Sequence, residues 1–217
     1  MVLLGITDIH GDITDLPGLE AELKGADVVL VAGDVTNFGG ADSAAEVITE
    51  LKKYTKKLFA VPGNCDYSEV DIYLSQLGIN LHQRSEHYDG ICFLGAGGST
   101  PCPVETPLVY SEAEYEAMLN GSASTAKGCT SVLVSHQPPF NTKTDRAMKI
   151  KHVGSKSVRT FIEQYQPLVC LTGHIHESKG IDTVGKTTIV NPGPFKDGRY
   201  CRITIQKGEA DVELLKV

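Results

Sequence analysis

Apolar residues in the first third of the chain follow two patterns in turn. Val2 to Thr7, Val28 to Ala32 and Lys57 to Val61 are short and nearly unbroken apolar runs, the pattern of strands buried in a sheet. Leu16, Leu19 and Leu23 recur at helical spacing, as do Ala44, Val47, Ile48 and Leu51, and again Val70, Tyr73, Leu74 and Leu77. Polar residues suited to capping precede the first and third of these stripes (Asp12, Thr14, Asp15; Ser68), and Gly25 and Gly78 follow them. The order β-α-β-α-β-α predicts a parallel sheet covered by helices.

The second half is more mixed. Ile91 to Leu94 reads as a strand, and a loop rich in Gly and Pro runs from 95 to 107. Ser111 and Glu114 form a capping-box pattern that opens a helix reaching Leu119. Val132 to Ser135 and Leu168 to Thr172 read as strands on either side of a helix marked by Val158, Phe161, Ile162 and Tyr165. The tail, with apolar segments at Ile181–Val184, Thr187–Val190, Arg202–Ile205 and Val212–Leu215, predicts an antiparallel meander. No repeat and no long linker interrupts the 217 residues, so one domain over 1–217 is expected.

Composition narrows the function. A net charge of -7 argues against a broad grip on duplex nucleic acid, which needs a basic face. It leaves room for a small anion held at a bound cation. No apolar stretch approaches the roughly 18 residues of a membrane span, and Met1 to Ile6 lacks the basic region and cleavage site of a signal peptide. The six cysteines form no Cys-x-x-Cys pair, and reduced thiols in a cytoplasmic protein are the reading. Nothing in the sequence assigns an oligomeric state.

The informative residues stand at strand ends, where ligands of α/β sheets bind. They are Thr7-Asp8-Ile9-His10, Gly33-Asp34, Gly63-Asn64-Cys65-Asp66, Ser135-His136 and Gly173-His174-Ile175-His176. Any one of these is an ordinary turn or cap. Together they hold four of the seven histidines at one sheet edge, which packing does not require. In extended backbone, alternate side chains point the same way, so Asp8 with His10 and His174 with His176 are expected to face one centre. Carboxylate, imidazole and amide donors without thiolate suit manganese, iron, zinc or nickel. Two such ions about 4 Å apart lower the pKa of a shared water and hold the attacking and leaving oxygens of a phosphate ester.

Asp-x-His, Gly-Asp, Gly-Asn-x-Asp, a lone His and Gly-His-x-His, in that order from Asp8 to His176, resemble the calcineurin-like metallophosphoesterases. The segment Val153–Ser157 and the turn Asn191-Pro192-Gly193-Pro194 resemble those of the small prokaryotic members. The resemblance implies two mixed β-sheets packed as a sandwich flanked by helices. It implies two divalent metal ions: Asp8, His10 and His176 on the first, Asn64, His136 and His174 on the second, and Asp34 bridging. It implies a phosphodiesterase or phosphatase in which a metal-bridging hydroxide attacks phosphorus, with nucleotides and cyclic nucleotides among the candidate small substrates.

Many members carry His where this chain has Cys65, and that His helps to protonate the leaving group. Cysteine is a poor substitute near pH 7, although Gly-Asn-Cys-Asp is frequent among the small members. Asp66 is then expected to support neighbouring ligands, and His152 is the candidate replacement acid beside Asp34 and Asn64 in the catalytic set. Arg146, Lys149, Lys151, the helix N-terminus at Ser155 and the loop at Gly98 are candidates for contacting substrate. The alternative to an enzyme is a catalytically weak protein-interaction scaffold of the same fold. Loss of metal ligands is the sequence sign of such a scaffold, and all seven are present.

Overall fold

The computed structural model describes the whole chain except Thr125, Lys127 and Lys149. The first half runs β1 (Val2–Ile6), α1 (Glu20–Gly25), β2 (Val28–Ala32), α2 (Ala41–Lys52), β3 (Leu58–Val61), α3 (Ser68–Gln76), β4 (Ser85–Tyr88) and β5 (Ile91–Ala96). Then come α4 (Glu112–Ala123), β6 (Thr130–Ser135), β7 (Arg146–Ala147), β8 (Lys151–His152), α5 (Lys156–Tyr165) and β9 (Val169–Thr172). The chain finishes with β10 (Gly180–Val184), β11 (Thr187–Asn191), β12 (Arg199–Gln206) and β13 (Glu209–Lys216).

Two mixed sheets result, ordered β13-β12-β1-β2-β3 and β10-β11-β9-β6-β5-β4, with β7 and β8 forming a separate small hairpin. In the first sheet β1, β2 and β3 are parallel; in the second β5, β6, β9 and β11 are. Alternate residues of each central strand serve different layers. Val29 and Val31 of β2 pack with Leu19, Leu23, Val47 and Leu51 under α1 and α2. Val28, Leu30 and Ala32 pack with Phe59, Phe93, Val132 and Leu171 between the sheets. A third apolar layer joins Leu94, Leu133 and Cys170 to Tyr115, Leu119, Val158 and Phe161 of α4 and α5. Burial on both faces is why these strands read as unbroken apolar runs. The architecture is helix, sheet, sheet, helix.

The tail departs from the expected meander. The β10–β11 hairpin joins the second sheet with β11 parallel to β9, whereas the β12–β13 hairpin joins the first with β12 antiparallel to β1. The cause is burial: Ile189 and Val190 of β11, and Tyr200 and Cys201 of β12, each feed two different apolar layers. A meander with one solvated face would expose half of them. Strand β4 went unpredicted because Ser-Glu-His-Tyr is a polar edge strand with no apolar alternation. Among the described residues no helix is long and apolar enough to cross a membrane.

Candidate metal centre

The carboxyl ends of β1, β2, β3, β6 and β9 meet at one edge of the sandwich. The loops after β1 and β2 run together, with Asp8 N–H donating to Gly33 O (3.0 Å) and His10 N–H to Asp34 O (2.9 Å). The geometry here differs from the extended alternation expected of the sequence. Asp8, His10, Asp34 and His174 have φ of 53°, 51°, 47° and 67°, in the left-handed region. Few non-glycine residues adopt it, and it re-aims each side chain immediately past the strand. Ile9 turns into the apolar layer under α1 and α2, and Ile175 is buried.

The second sheet reaches across to the first. His136 Nδ1–H donates to the carbonyl of Ala32 (2.8 Å). That bond places a proton on Nδ1 and turns Nε2 toward Asn64 Oδ1 at 2.9 Å and Asp34 Oδ1 at 3.5 Å. The His174 N–H lies 3.2 Å from both oxygens of Asp8, and its ring meets that of His136 edge-on at 5.2 Å. His10 Nε2 stands 3.2 Å from His176 Nε2 and 3.6 Å from Asp34 Oδ2, while His176 Nε2 is 3.4 Å from Asp8 Oδ1. Asp8, His10, Asp34, Asn64, His136 and His176 thus stand in one run of close contacts, with the His174 ring packed on that of His136.

Two glycines make that convergence possible. A Cβ on Gly63 would lie 2.0 Å from the Asp34 nitrogen, and one on Gly173 would lie 1.9 Å from Thr7 Oγ1 and 2.6 Å from Asp8 Oδ2. Asp66, fully buried, gathers the N–H groups of Gly63 (2.7 Å), Val35 (3.1 Å) and Thr36 (2.8 Å) and the Thr36 hydroxyl (2.7 Å). One carboxylate thereby ties the loop bearing Asp34 to the loop bearing Asn64. Burial, and then the charge of Asp34, push its carboxyl up to about 6.

The charges within the centre are set by burial and by neighbours. Burial alone would raise Asp8, but His176, His136 and His10 outweigh it and hold the carboxyl at about 2. His174 is pushed down to about 4, first by burial and then by His136, and burial also lowers His10. Both rings are neutral at pH 7, the form that coordinates metals. Burial, and then Asp34, raise the Cys65 thiol, which stands within reach of His10 and Asp34.

Asp8 and Asp34 are thus buried carboxylates paired, among the described residues, only with histidines and never with Lys or Arg. Donors gather as Asp8, His10 and His176 on one side and as Asp8, Asp34 and His136 on the other. A divalent cation satisfies this set, and oxygen with imidazole nitrogen is the donor chemistry of a first-row transition ion.

Other expected site residues lie differently. Gly98 is buried, with a prospective Cβ 2.6 Å from the Tyr110 ring, and it turns the chain beneath that ring instead of lining an entrance. Ser155 caps α5, but the anion position there is filled: Glu112 accepts from the Ser155 hydroxyl (2.7 Å) and from the N–H groups of Lys156 (2.8 Å) and Ser157 (2.9 Å). A substrate phosphate at Ser155 would have to displace that carboxylate. Arg146 and Lys151 are exposed on the β7–β8 hairpin, and Lys149 lies outside the described residues. His152 stands on β8 with Nδ1 2.6 Å from Asp145 Oδ1. The roles of Glu112 and Asp145 had no sequence signal, because an acidic residue in a polar stretch reads as solvated surface.

Among proteins similar to this chain, uncharacterized protein MJ1162 of Methanocaldococcus jannaschii is 42% identical over 201 residues, covering 89% of this chain and 88% of its own. The crystal structure of TT1561 of Thermus thermophilus superposes with a TM-score of 0.75 at 21% identity, covering 98% of this chain and 97% of that one. A dimetal phosphatase from Danio rerio shares the fold with a TM-score of 0.66 at 12% identity, covering 98% of each chain. The family model described as calcineurin-like phosphoesterase matches residues 1–178. With a divalent metal centre built at the strand ends that this match spans, the chain belongs to the calcineurin-like phosphoesterases and is a metal-dependent hydrolase of phosphoric esters.

Proposed function

We propose that this chain hydrolyses phosphodiesters, with nucleotide diesters and cyclic nucleotides as candidate substrates, at a centre of two divalent cations that share Asp34. The observation that carries the reading is the orientation of that one carboxylate. Asp34 Oδ1 lies 3.5 Å from His136 Nε2, and Oδ2 lies 3.6 Å from His10 Nε2, so its two oxygens address two different histidine sets. Asp8, His10 and His176 complete one set; Asn64, His136 and His174 complete the other. The Cys65 N–H donates to Asp34 Oδ1 at 2.8 Å and fixes the plane of the carboxylate. Bound divalent ions supply an acidified water and an electrostatic clamp on the phosphate oxygens. Manganese, iron, zinc and nickel all suit the donors.

The diester preference rests on Cys65, which stands where many members carry the His that protonates the leaving oxygen, so esters that need little such help are favoured. Arg146 and Lys151, exposed on the hairpin beside His176, add positive charge for the outer ester group.

Replacing Asp34 by Asn tests the reading. Elemental analysis of protein loaded with manganese is expected to fall below two ions per chain. Turnover of a nitrophenyl phosphodiester is expected to drop by more than about 100-fold, beyond what loss of an outer-shell partner costs. Full metal content with retained turnover would rule out the bridging role.

A further inference from the structure

Asp145 anchors a network that the reading above leaves unused. Its buried carboxylate accepts from the N–H groups of Asn141, Thr142 and Gly154, each at 3.0 Å, and takes His152 Nδ1 as a fourth partner at 2.6 Å. Asn141, Thr142, His152 and Gly154 are thus gathered around one acidic group. An ionised carboxylate only accepts hydrogen bonds, so the shared proton sits on Nδ1. Nδ1–H on Asp145 fixes both the tautomer and the orientation of the ring, which also rests edge-on against Phe140 with centroids 6.0 Å apart. Nε2 makes no hydrogen bond among the described residues, and the side chain is 25% exposed.

Two straps tie the chain on either side of this ring to segments next to the metal centre. Gln137, the residue after His136, donates through Nε2 to the carbonyl of Val153, the residue after His152 (2.9 Å). Arg146, paired with His152 across the hairpin, donates its N–H to Ser178 Oγ (2.9 Å) and accepts that hydroxyl on its carbonyl (2.6 Å). The Met148 N–H binds Glu177 Oε1 at 3.0 Å. The hairpin is therefore tied to the chain just after His136 and just after His176.

We propose that His152 protonates the leaving oxygen of the scissile ester through Nε2, with Asp145 as its positioning residue. The proposal rests on the phosphodiesterase reading and fills the role left empty at Cys65. As an O–P bond forms from water to phosphorus, the P–O bond to the leaving group breaks and its electron pair stays on the leaving oxygen. That oxygen takes the Nε2 proton of the imidazolium, leaving a neutral ring with Nδ1–H still on Asp145. The proton shed by the attacking water returns the ring to its charged form, so the balance is ester plus water to monoester plus alcohol.

The test uses the full chain loaded with manganese and two diesters that differ only in the leaving group, nitrophenol or a simple alkanol. A good leaving group needs little protonation, and a poor one depends on it. His152→Gln is expected to lose about 100-fold more kcat/KM on the alkyl diester than on the nitrophenyl diester. Asp145→Asn is expected to show the same split at about 10-fold, with wild-type metal content. Equal losses on both substrates, or no loss on the alkyl diester, overturn the role of His152. An even loss in Asp145→Asn overturns the positioning role. Should that variant fail to fold, His152→Ala decides: added imidazole restoring alkyl-diester turnover supports the assignment, and no restoration overturns it. A wild-type protein that binds metal yet cleaves neither diester overturns the phosphodiesterase reading itself, and this proposal with it.

Discussion

The two sheets bring unlike halves to one centre. Loops after β1, β2 and β3 carry both carboxylates, the Asn64 amide and a single imidazole. Loops after β6 and β9 bring three imidazoles to the centre and none of its carboxylates. The anionic half alone would leave Asp8 and Asp34 repelling each other in a buried space; the imidazole half alone would offer donors with no charge to balance a cation. The halves are joined by the bond from His136 to Ala32 and by the His174 N–H on Asp8. Metal affinity therefore depends on how well the sheets dock, and not only on the ligands.

The largest effect expected on that comparison comes from the layer between the sheets. Phe93 is fully buried there, with its ring centroid 5.2 Å from that of Phe59. Phe93→Ala is expected to cost about 3–5 kcal/mol in urea unfolding and to weaken manganese binding by calorimetry. Unchanged affinity in the destabilised protein would show that the loops alone hold the two halves in register. A smaller effect is expected where the halves touch: Gly173→Ala puts a methyl group into Thr7 and Asp8 and should cost about 1–3 kcal/mol, together with a measurable loss of bound manganese. A variant with native metal content and stability would mean that the loop after β9 yields freely.

The smallest effect sharpens the contrast by sparing the centre. Glu112→Gln weakens the cap on α5 and is expected to cost about 1 kcal/mol with manganese binding intact. Burial would raise the Glu112 carboxyl, but its bonds to Ser155, Ser157 and Lys156 outweigh that and hold it below the ordinary value. Its contribution is therefore present above the ordinary carboxylate range and is lost as pH falls through the lowered folded-state value. Melting curves of wild type and variant should converge in acid, and a gap independent of pH would contradict the charged cap.

The strands were readable because both their faces are buried, which writes Val28–Ala32 and its counterparts as plain apolar runs. The positions bordering the centre were readable because polar residues at the ends of such runs have no packing reason to be there. The conformation that aims them was not, since Asp8, His10 and His174 leave extended geometry at the point where alternation was assumed. Pairing in the tail also escaped, because Ile189 and Cys201 look alike until the layer each one fills is known. Ser155 misled for a related reason: a helix N-terminus attracts an anion, and this one has already drawn Glu112 from 43 residues away.

The left-handed backbone at four residues of the centre bears on how it should be dissected. Asp, Asn and His tolerate that conformation better than most side chains. Alanine at position 8, 10, 34 or 174 therefore deletes a donor and burdens the main chain in the same stroke, by about 1–2 kcal/mol on the scale of a left-handed residue. Glycine deletes the donor without that burden. The gap between the two truncations at one position isolates the share of each loss that belongs to chain geometry, and an alanine scan taken alone would credit all of it to coordination.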